Sequence, residues 1–357
     1  DMDIVTADLD LSAAVITYPF DINQLDVRNS RIHFTPSGSK PISVEKLNLS
    51  LDHLHFTHPA NSGYLTGLKS TAGTLKVQQL NVPGLNKLDI DMTIAGERDT
   101  LSIGFSRLTD KAKSESGQLL MDISKKELAY QLNYVVKDAS LDYFNKKYYK
   151  RKLISGEIDY AVHLKTSGSN WGQIKQNLGG GIEIVGDSLR LYGVDVDDIL
   201  RRYQKSQNFN LTDLGAVLVA GPVGLAVTKG SDFVSLASVR LDSTEVTNIQ
   251  TLVAKWKLDS GMLITEDVAF ATRLNRIAFN GQLDLAHDSI PGLTIAVLDE
   301  KGCSLMDQTL YGKMGVIQHG KVNITKTLLG SVINFVNAVV GKDCKPVYTG
   351  RVRKAKS

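Results

Sequence analysis

The sequence predicts a mainly β protein built on a long antiparallel sheet, and three observations predict it. Over most of residues 1–165 apolar and polar side chains alternate with a period of two, the pattern of strands with one apolar and one polar face. Turn signals punctuate that alternation at strand-like spacing, at Pro36 to Gly38, Pro83-Gly84, Gly96 to Asp99 and Gly117. Helical periodicity is confined to a few short stretches of the second half.

In chain order, Leu47, Leu49 and Leu51 alternate with Asn48, Ser50 and Asp52. The next strands carry Leu75 and Val77, then Leu80 and Val82, then Leu88, Ile90, Met92 and Ile94, then Leu101, Ile103 and Phe105. The clearest alternation is Leu128, Tyr130, Leu132, Tyr134 and Val136, followed by Ile158, Tyr160, Val162 and Leu164. Where Leu51 gives way to Leu54 and Phe56 the apolar register slips, which predicts a bulge that bends the strand.

Trp171, Ile174 and Leu178 then space a short helix ahead of the Gly179 to Gly181 run, which reads as a turn. Val196, Ile199, Leu200 and Tyr203 space a second helix, with Asp195 as N-cap and Asp197 and Asp198 in its positive first turn. Strands resume at Val217 and Val219, Val234 and Leu236, Leu252 to Leu258, Ile277 and Phe279, and Leu283 and Leu285. A third helix is expected over 326–340, as a cap on the sheet.

Composition narrows the function classes. The 357 residues make one large or two ordinary domains, and 41 Lys+Arg against 38 Asp+Glu leave a net charge of only +3. No basic stripe with interleaved aromatics occurs, which argues against a nucleic-acid partner. No apolar run approaches the roughly 20 residues of a membrane helix. The opening at Asp1 carries the expectation of a missing N-terminal signal or anchor. Two cysteines, Cys303 and Cys344, are either free thiols or a bond closing a loop of about 40 residues, worth about 4 kcal/mol; neither has metal-ligand spacing.

Chemistry-bearing motifs are sparse. His53, His55 and His58 cluster in DHLHFTHP without a supporting carboxylate or thiol and read as decoration of a polar face. Asp197 and Asp198 serve the helix dipole. Tyr143, Phe144, Tyr148 and Tyr149 among Lys146, Lys147 and Lys150 form the best candidate surface patch. No nucleophile triad, phosphate loop or cofactor fingerprint stands out, so neither an enzyme nor a cofactor is expected.

The strands of the first half carry an apolar face that no amphipathic helix of that half covers. Such a face must meet a second sheet, as in a sandwich, or line a groove filled by a ligand. GDSLRLYGVDVDDILRRYQ at 186–204, the strand series at 235–290 with its LDSGMLITEDV turn, and the ending DCKPVYTGRV at 343–352 carry a resemblance of residues 179–352 to the C-terminal region of AsmA-like bacterial envelope proteins. In that setting the sandwich alternative is a binding or assembly module for envelope proteins or glycans.

The resemblance implies a long, curved antiparallel sheet forming a trough, related in architecture to TamB and chorein-type bridges, that holds phospholipid acyl chains and supports outer-membrane biogenesis. It also implies a periplasmic protein tied to the inner membrane by an anchor this sequence lacks, possible envelope-protein partners, and a Cys303–Cys344 disulfide. The expected lining is Leu47, Leu49, Leu51, Leu75, Val77, Ile90, Met92, Ile94, Ile103, Phe105, Leu128, Tyr130, Leu132, Tyr134 and Val136, with the two tyrosines near a polar edge because their hydroxyls need partners. The expected divisions are 1–165, a groove-forming meander; 166–300, the AsmA-like β region; and 301–357, a disulfide-linked cap.

Overall fold

A computed structural model describes residues 2–5, 20–34, 42–56, 68–81, 88–97, 100–107, 112–124, 127–142, 152, 154–206, 245–314, 316–324 and 344–353. The expected strands at 217–219 and 234–236, the expected helix over 326–340, the aromatic patch at 143–149 and His58 lie outside them. The chain is mainly β and antiparallel, as the alternation predicts. It divides into two compact units: residues 1–139 with 161–179, and residues 140–160 with 180–357. The segment after residue 300 thus belongs to the same unit as the strands before it.

The first unit is a meander of β1 (Met2–Val5), β2 (Phe20–Phe34), β3 (Ile42–Phe56), β4 (Leu68–Asn81), β5 (Leu88–Glu97), β6 (Thr100–Arg107), β7 (Ser114–Asp122) and β8 (Ala129–Ser140). Each strand pairs antiparallel with the next. Strand β9 (Ile154–Ser167) gives its second half to this unit and its first half to the other. The slip read at Leu51 to Leu54 is a register shift between Asp52 and His55, with His53 at φ +54°. A bulge of this kind adds an unpaired residue and sharpens local twist. It also breaks the strict alternation that would set His53 and His55 on one face. His55 instead pairs with Asp21 on the neighbouring strand.

Helix α1 (Trp171–Gln176) is shorter than its apolar spacing suggests and buries none of its residues. Asn170 caps it, its side-chain oxygen accepting from the Gln173 N–H at 3.0 Å. Trp171, the first residue of the expected apolar stripe, is 65% exposed. The glycines expected to turn here instead open β10 (Gly179–Tyr192). A Cβ on Gly181 would stand 3.2 Å from the Trp256 carbonyl, so the run admits a close neighbouring backbone.

The second unit contains β10, helix α2 (Val196–Ser206), and β11 (Val246–Asp259), β12 (Met262–Ala271), β13 (Arg276–Asp284), β14 (Ser289–Leu298), β15 (Ser304–Lys313), β16 (Val316–His319) and β17 (Asn323–Ile324). The run from β10 to β15 pairs antiparallel in sequence order, and β15 pairs with both β16 and β17. The β11–β12 hairpin turns through Ser260 and Gly261, both at positive φ, which suits the right-handed twist of the strands it joins. As expected, Asp195 caps α2, accepting from the Asp198 N–H at 3.0 Å. Asp197 does more than face the dipole: it accepts from Thr272 and from Asn275, each at 2.6 Å, and pins the helix start to the β12–β13 turn.

This unit buries both faces of its sheet. One face carries the cross-strand row Leu252, Phe270, Ile277, Val297 and Met306, all buried. The other carries the row Val253, Ala269, Ala278 and Ala296, onto which Leu298, Tyr348 and Val352 pack. Small alanines let the backbone of 344–353 lie close to the sheet, and Cys303 and Cys344 are joined by a disulfide that ties that segment down.

Candidate functional site

The cross-strand register of the first unit decides which of the fifteen expected lining residues meet. Residues directly opposite in an antiparallel pair share a face. One row runs Val27, Leu49, Leu75, Met92, Phe105, Gly117, Tyr134 across seven strands from β2 to β8. The next runs Leu25, Leu51, Gly73, Ile94, Ile103, Leu119, Leu132. Shorter rows flank them: Leu47, Val77 and Ile90 on one side, and Leu101, Met121 and Tyr130 on the other. Val136 lies two residues beyond Tyr134 on the same face, and Leu128 sits just before β8. Ile90 is placed by register alone, its side chain lying outside the described residues.

The opposite face is polar in the same register. Asp26, Ser50, Thr74, Thr93, Gly104, Gln118 and Asn133 form one row. Gln118 donates to Ser102 at 3.0 Å, and the His163 ring nitrogen lies 3.0 Å from the Asn133 side-chain oxygen. A shallow cavity of about 440 Å³ lies toward one end of this side, lined by Thr100, Leu120, Asp122, Gln131, Lys165 and Asn177.

The apolar face curls. Leu54 of β3 and Ile123, one residue past β7, form a buried cluster with Ile22, Leu25, Leu51, Leu101, Met121 and Leu128 packed around it. In a flat sheet four strand spacings would hold β3 and β7 about 19 Å apart, far beyond the roughly 4.5 Å of apolar contact. The sheet must therefore bend its apolar side inward at this end. Positive φ at Asn29, Lys46 and His53 marks where β2 and β3 take up the bend.

The rows differ from a closed core in burial. Leu47, Val77 and Val136 are buried, whereas Leu49, Leu51, Leu75, Met92, Ile94, Ile103, Phe105 and Leu132 keep part of their surface open. Helix α1 contributes no buried residue of its own to this unit. Away from the Leu54–Ile123 cluster the face ends in a polar contact at Tyr134, whereas Tyr130 shares its row with Leu101 and Met121 of the closed end. Tyr134 donates its hydroxyl to Glu115 at 2.6 Å, and its ring lies over Gly117, where a Cβ would come within 2.5 Å of it. Leu51 and Leu128 belong to the closed end rather than to the open part of the face.

Two polar clusters of the second unit lay outside sequence reasoning. Near its start, Lys152 bonds Asp142 at 2.8 Å and stands 4.8 Å from the Tyr192 ring, while the Tyr192 hydroxyl lies 3.0 Å from Ser155 Oγ. The Ser155 hydrogen bond, then Lys152, draws the Tyr192 phenol below its ordinary pKa. The larger cluster holds the C-terminal segment. Asp267 accepts from the Tyr348 hydroxyl, from Arg351 Nε at 2.9 Å and from the Arg351 N–H at 3.2 Å, and Arg351 also reaches Glu183 at 2.7 Å.

Burial pushes the Asp267 carboxyl up, but the Tyr348 and Arg351 hydrogen bonds outweigh it and hold the group below the usual carboxylate range. Burial, then the Asp267 bond, lifts the Tyr348 phenol to about 12. Buried Arg276 donates to the carbonyls of Val352, Asp299 and Glu300. The available signal was a charge directly abutting an apolar run, Asp267 before VAFA and Arg276 before IAF.

No family model, no curated protein and no solved structure matches this chain.

Proposed function

We propose that this chain is a lipid-handling protein of the bacterial envelope, holding acyl chains against the concave apolar face of its first unit. The observation that carries the reading is the set of apolar rows in register across β2 to β8, left partly open and bent inward. Six strand spacings extend the two longest rows over about 29 Å, whereas one acyl chain spans about half of a roughly 30 Å bilayer core. The face is thus long enough for a chain lying across the strands. Each methylene moved from water onto it gains about 0.8 kcal/mol, so binding needs no directional contact, and a lipid's polar end is best accommodated at the Tyr134–Glu115 edge.

Phospholipid as the cargo, a periplasmic site, an inner-membrane anchor on the full-length protein, other envelope proteins as partners and a part in outer-membrane biogenesis belong to the same proposal. The likeness of 179–352 to AsmA-like proteins supports them, and the Cys303–Cys344 bond fits an oxidising compartment. The test is lipid extraction and native mass spectrometry of the purified chain, beside the variant Ile103→Asp. Acyl lipid recovered with the parent and lost from a folded Ile103→Asp chain is the expected result. A parent chain free of lipid, and unable to take up a fluorescent acyl probe, overturns the reading.

A further inference from the structure

The C-terminal segment 344–353 crosses the alanine-lined face of the second unit and is held in two ways, one covalent and one not. The covalent hold is Cys303–Cys344, separated by 41 residues of chain. The other is small for ten ordered residues. Only Tyr348 and Val352 are buried among them, and Lys345, Pro346, Val347, Thr349, Arg351 and Arg353 are exposed. The polar contacts converge on few groups: Asp267 accepts from Tyr348 and Arg351, Arg351 also reaches Glu183 at 2.7 Å, Arg276 donates to the Val352 carbonyl and lies 5.9 Å from the Tyr348 ring, and Gly302 accepts from the Val347 and Tyr348 N–H groups at 2.9 and 3.2 Å. Two buried side chains and these bonds roughly cancel the entropy of ordering ten residues. The tether therefore decides the balance.

We propose that the disulfide makes this segment a redox-releasable strap, whose reduction by a dithiol lets it leave the sheet and bares the floor of Val253, Ala269, Ala278, Ala296 and Leu298. Cys344 is only partly buried while Cys303 is 1% exposed, so the attacking thiolate meets Cys344 Sγ. Attack forms a mixed disulfide and expels the Cys303 thiolate, which takes up a proton. The reductant's second thiol then closes on its own sulfur, the Cys344 thiolate leaves and is protonated, and the reductant ends as a disulfide. Two electrons and two protons have moved to the protein.

The gain for the segment is freedom. The loop-closure model gives a tether of this span a stabilisation equivalent to roughly a thousandfold in the open–closed equilibrium. The bared floor is apolar, and among the described residues it is Tyr348 and Val352 of this segment, with Val185, that pack on it. This inference is independent of the lipid reading.

Hydrogen exchange with mass spectrometry on the full chain, oxidised and after dithiothreitol, tests it, with Cys303→Ala/Cys344→Ala as a reductant-free control. The expected result is exchange of the Val347, Tyr348 and Val352 amides at least a hundredfold faster in the reduced and double-variant chains. The Ala269 and Ala278 amides should keep their protection, and a hydrophobic dye should gain fluorescence. Unchanged protection of 347–352 overturns the strap, because the non-covalent contacts then suffice. Simultaneous loss at Ala269 and Ala278 overturns it too, because the bond is then a staple of the whole unit.

Discussion

The two units start from the same local code and end in opposite states. In the first, β4 alternates exposed Ala72, Thr74 and Lys76 with partly open Leu75, and its neighbours repeat the pattern, so one side of the sheet is polar and the other is incompletely covered. In the second, Asp267 to Ala271 of β12 are buried without interruption, and Arg276 to Phe279 of β13 likewise. A strand that reads as a continuous buried run is covered on both faces, whereas one that alternates is covered on one at most. The lesson lies in residue size as much as in hydropathy. The second face of the C-terminal sheet is alanine where backbone packs on it, and the open face of the first unit is Leu, Ile, Met and Phe, side chains that fill a groove rather than admit a close layer.

That contrast can be broken by mutation. The largest expected effect is Phe270→Ala in the second unit, where a fully buried ring leaves a cavity costing about 3–5 kcal/mol. Leu132→Ala in the open rows should cost under about 2 kcal/mol, because the lost side chain was already partly in water. Urea unfolding monitored separately for the units compares them, and equal costs would mean that the first unit's face is as closed as the second's. Next is Arg276→Met, which keeps the volume but strips donors from the carbonyls of Val352, Asp299 and Glu300. About 2–3 kcal/mol of the second unit's stability should go, with no effect on lipid recovered with the first.

A smaller effect is expected for Asp267→Asn, about 1–2 kcal/mol, read as faster exchange of the Arg351 and Val352 amides. The smallest is the pH dependence of the same contacts. Asp267 has a folded pKa below its unfolded value near 4, so its contribution is present above that value and is lost as pH falls through the folded pKa. Tyr348 has a folded pKa raised to about 12, so its contribution is present below the unfolded value near 10 and is lost as pH rises from there toward 12. Protection of 347–352 should therefore plateau between about pH 4 and 10 and decline on either side. A flat profile in the Asp267→Asn variant at the acid end would assign that limb to the carboxylate.

Much of this was legible residue by residue. The alternation at 47–51, 75–77, 92–94, 103–105 and 128–136 identified strands, and the pairing register puts its apolar members in common rows. The slip at Leu54 marked a bulge because extra residues must disturb a period of two. Asp195 was readable as a cap because few side chains can satisfy a helix's first amides. The Gly179 to Gly181 run was misread as a turn, since glycine marks close backbone approach as readily as chain reversal. Trp171 and Ile174 were readable as a short helix, but spacing shows only that residues share a helix face and not whether anything packs against it, and Trp171 is exposed.

By itself, then, the sequence determined the strands, their two faces and where their register breaks, all consequences of side-chain period along a few consecutive residues. Only the tertiary structure decided that Leu54 meets Ile123 and bends the first sheet inward, that alanines of β12 to β14 carry residues 344–353, and that Asp267, Arg276, Tyr348 and Arg351 form one network. Those contacts join residues separated by some fifty to eighty-four positions, and no local period encodes which distant side chain arrives to cover a face.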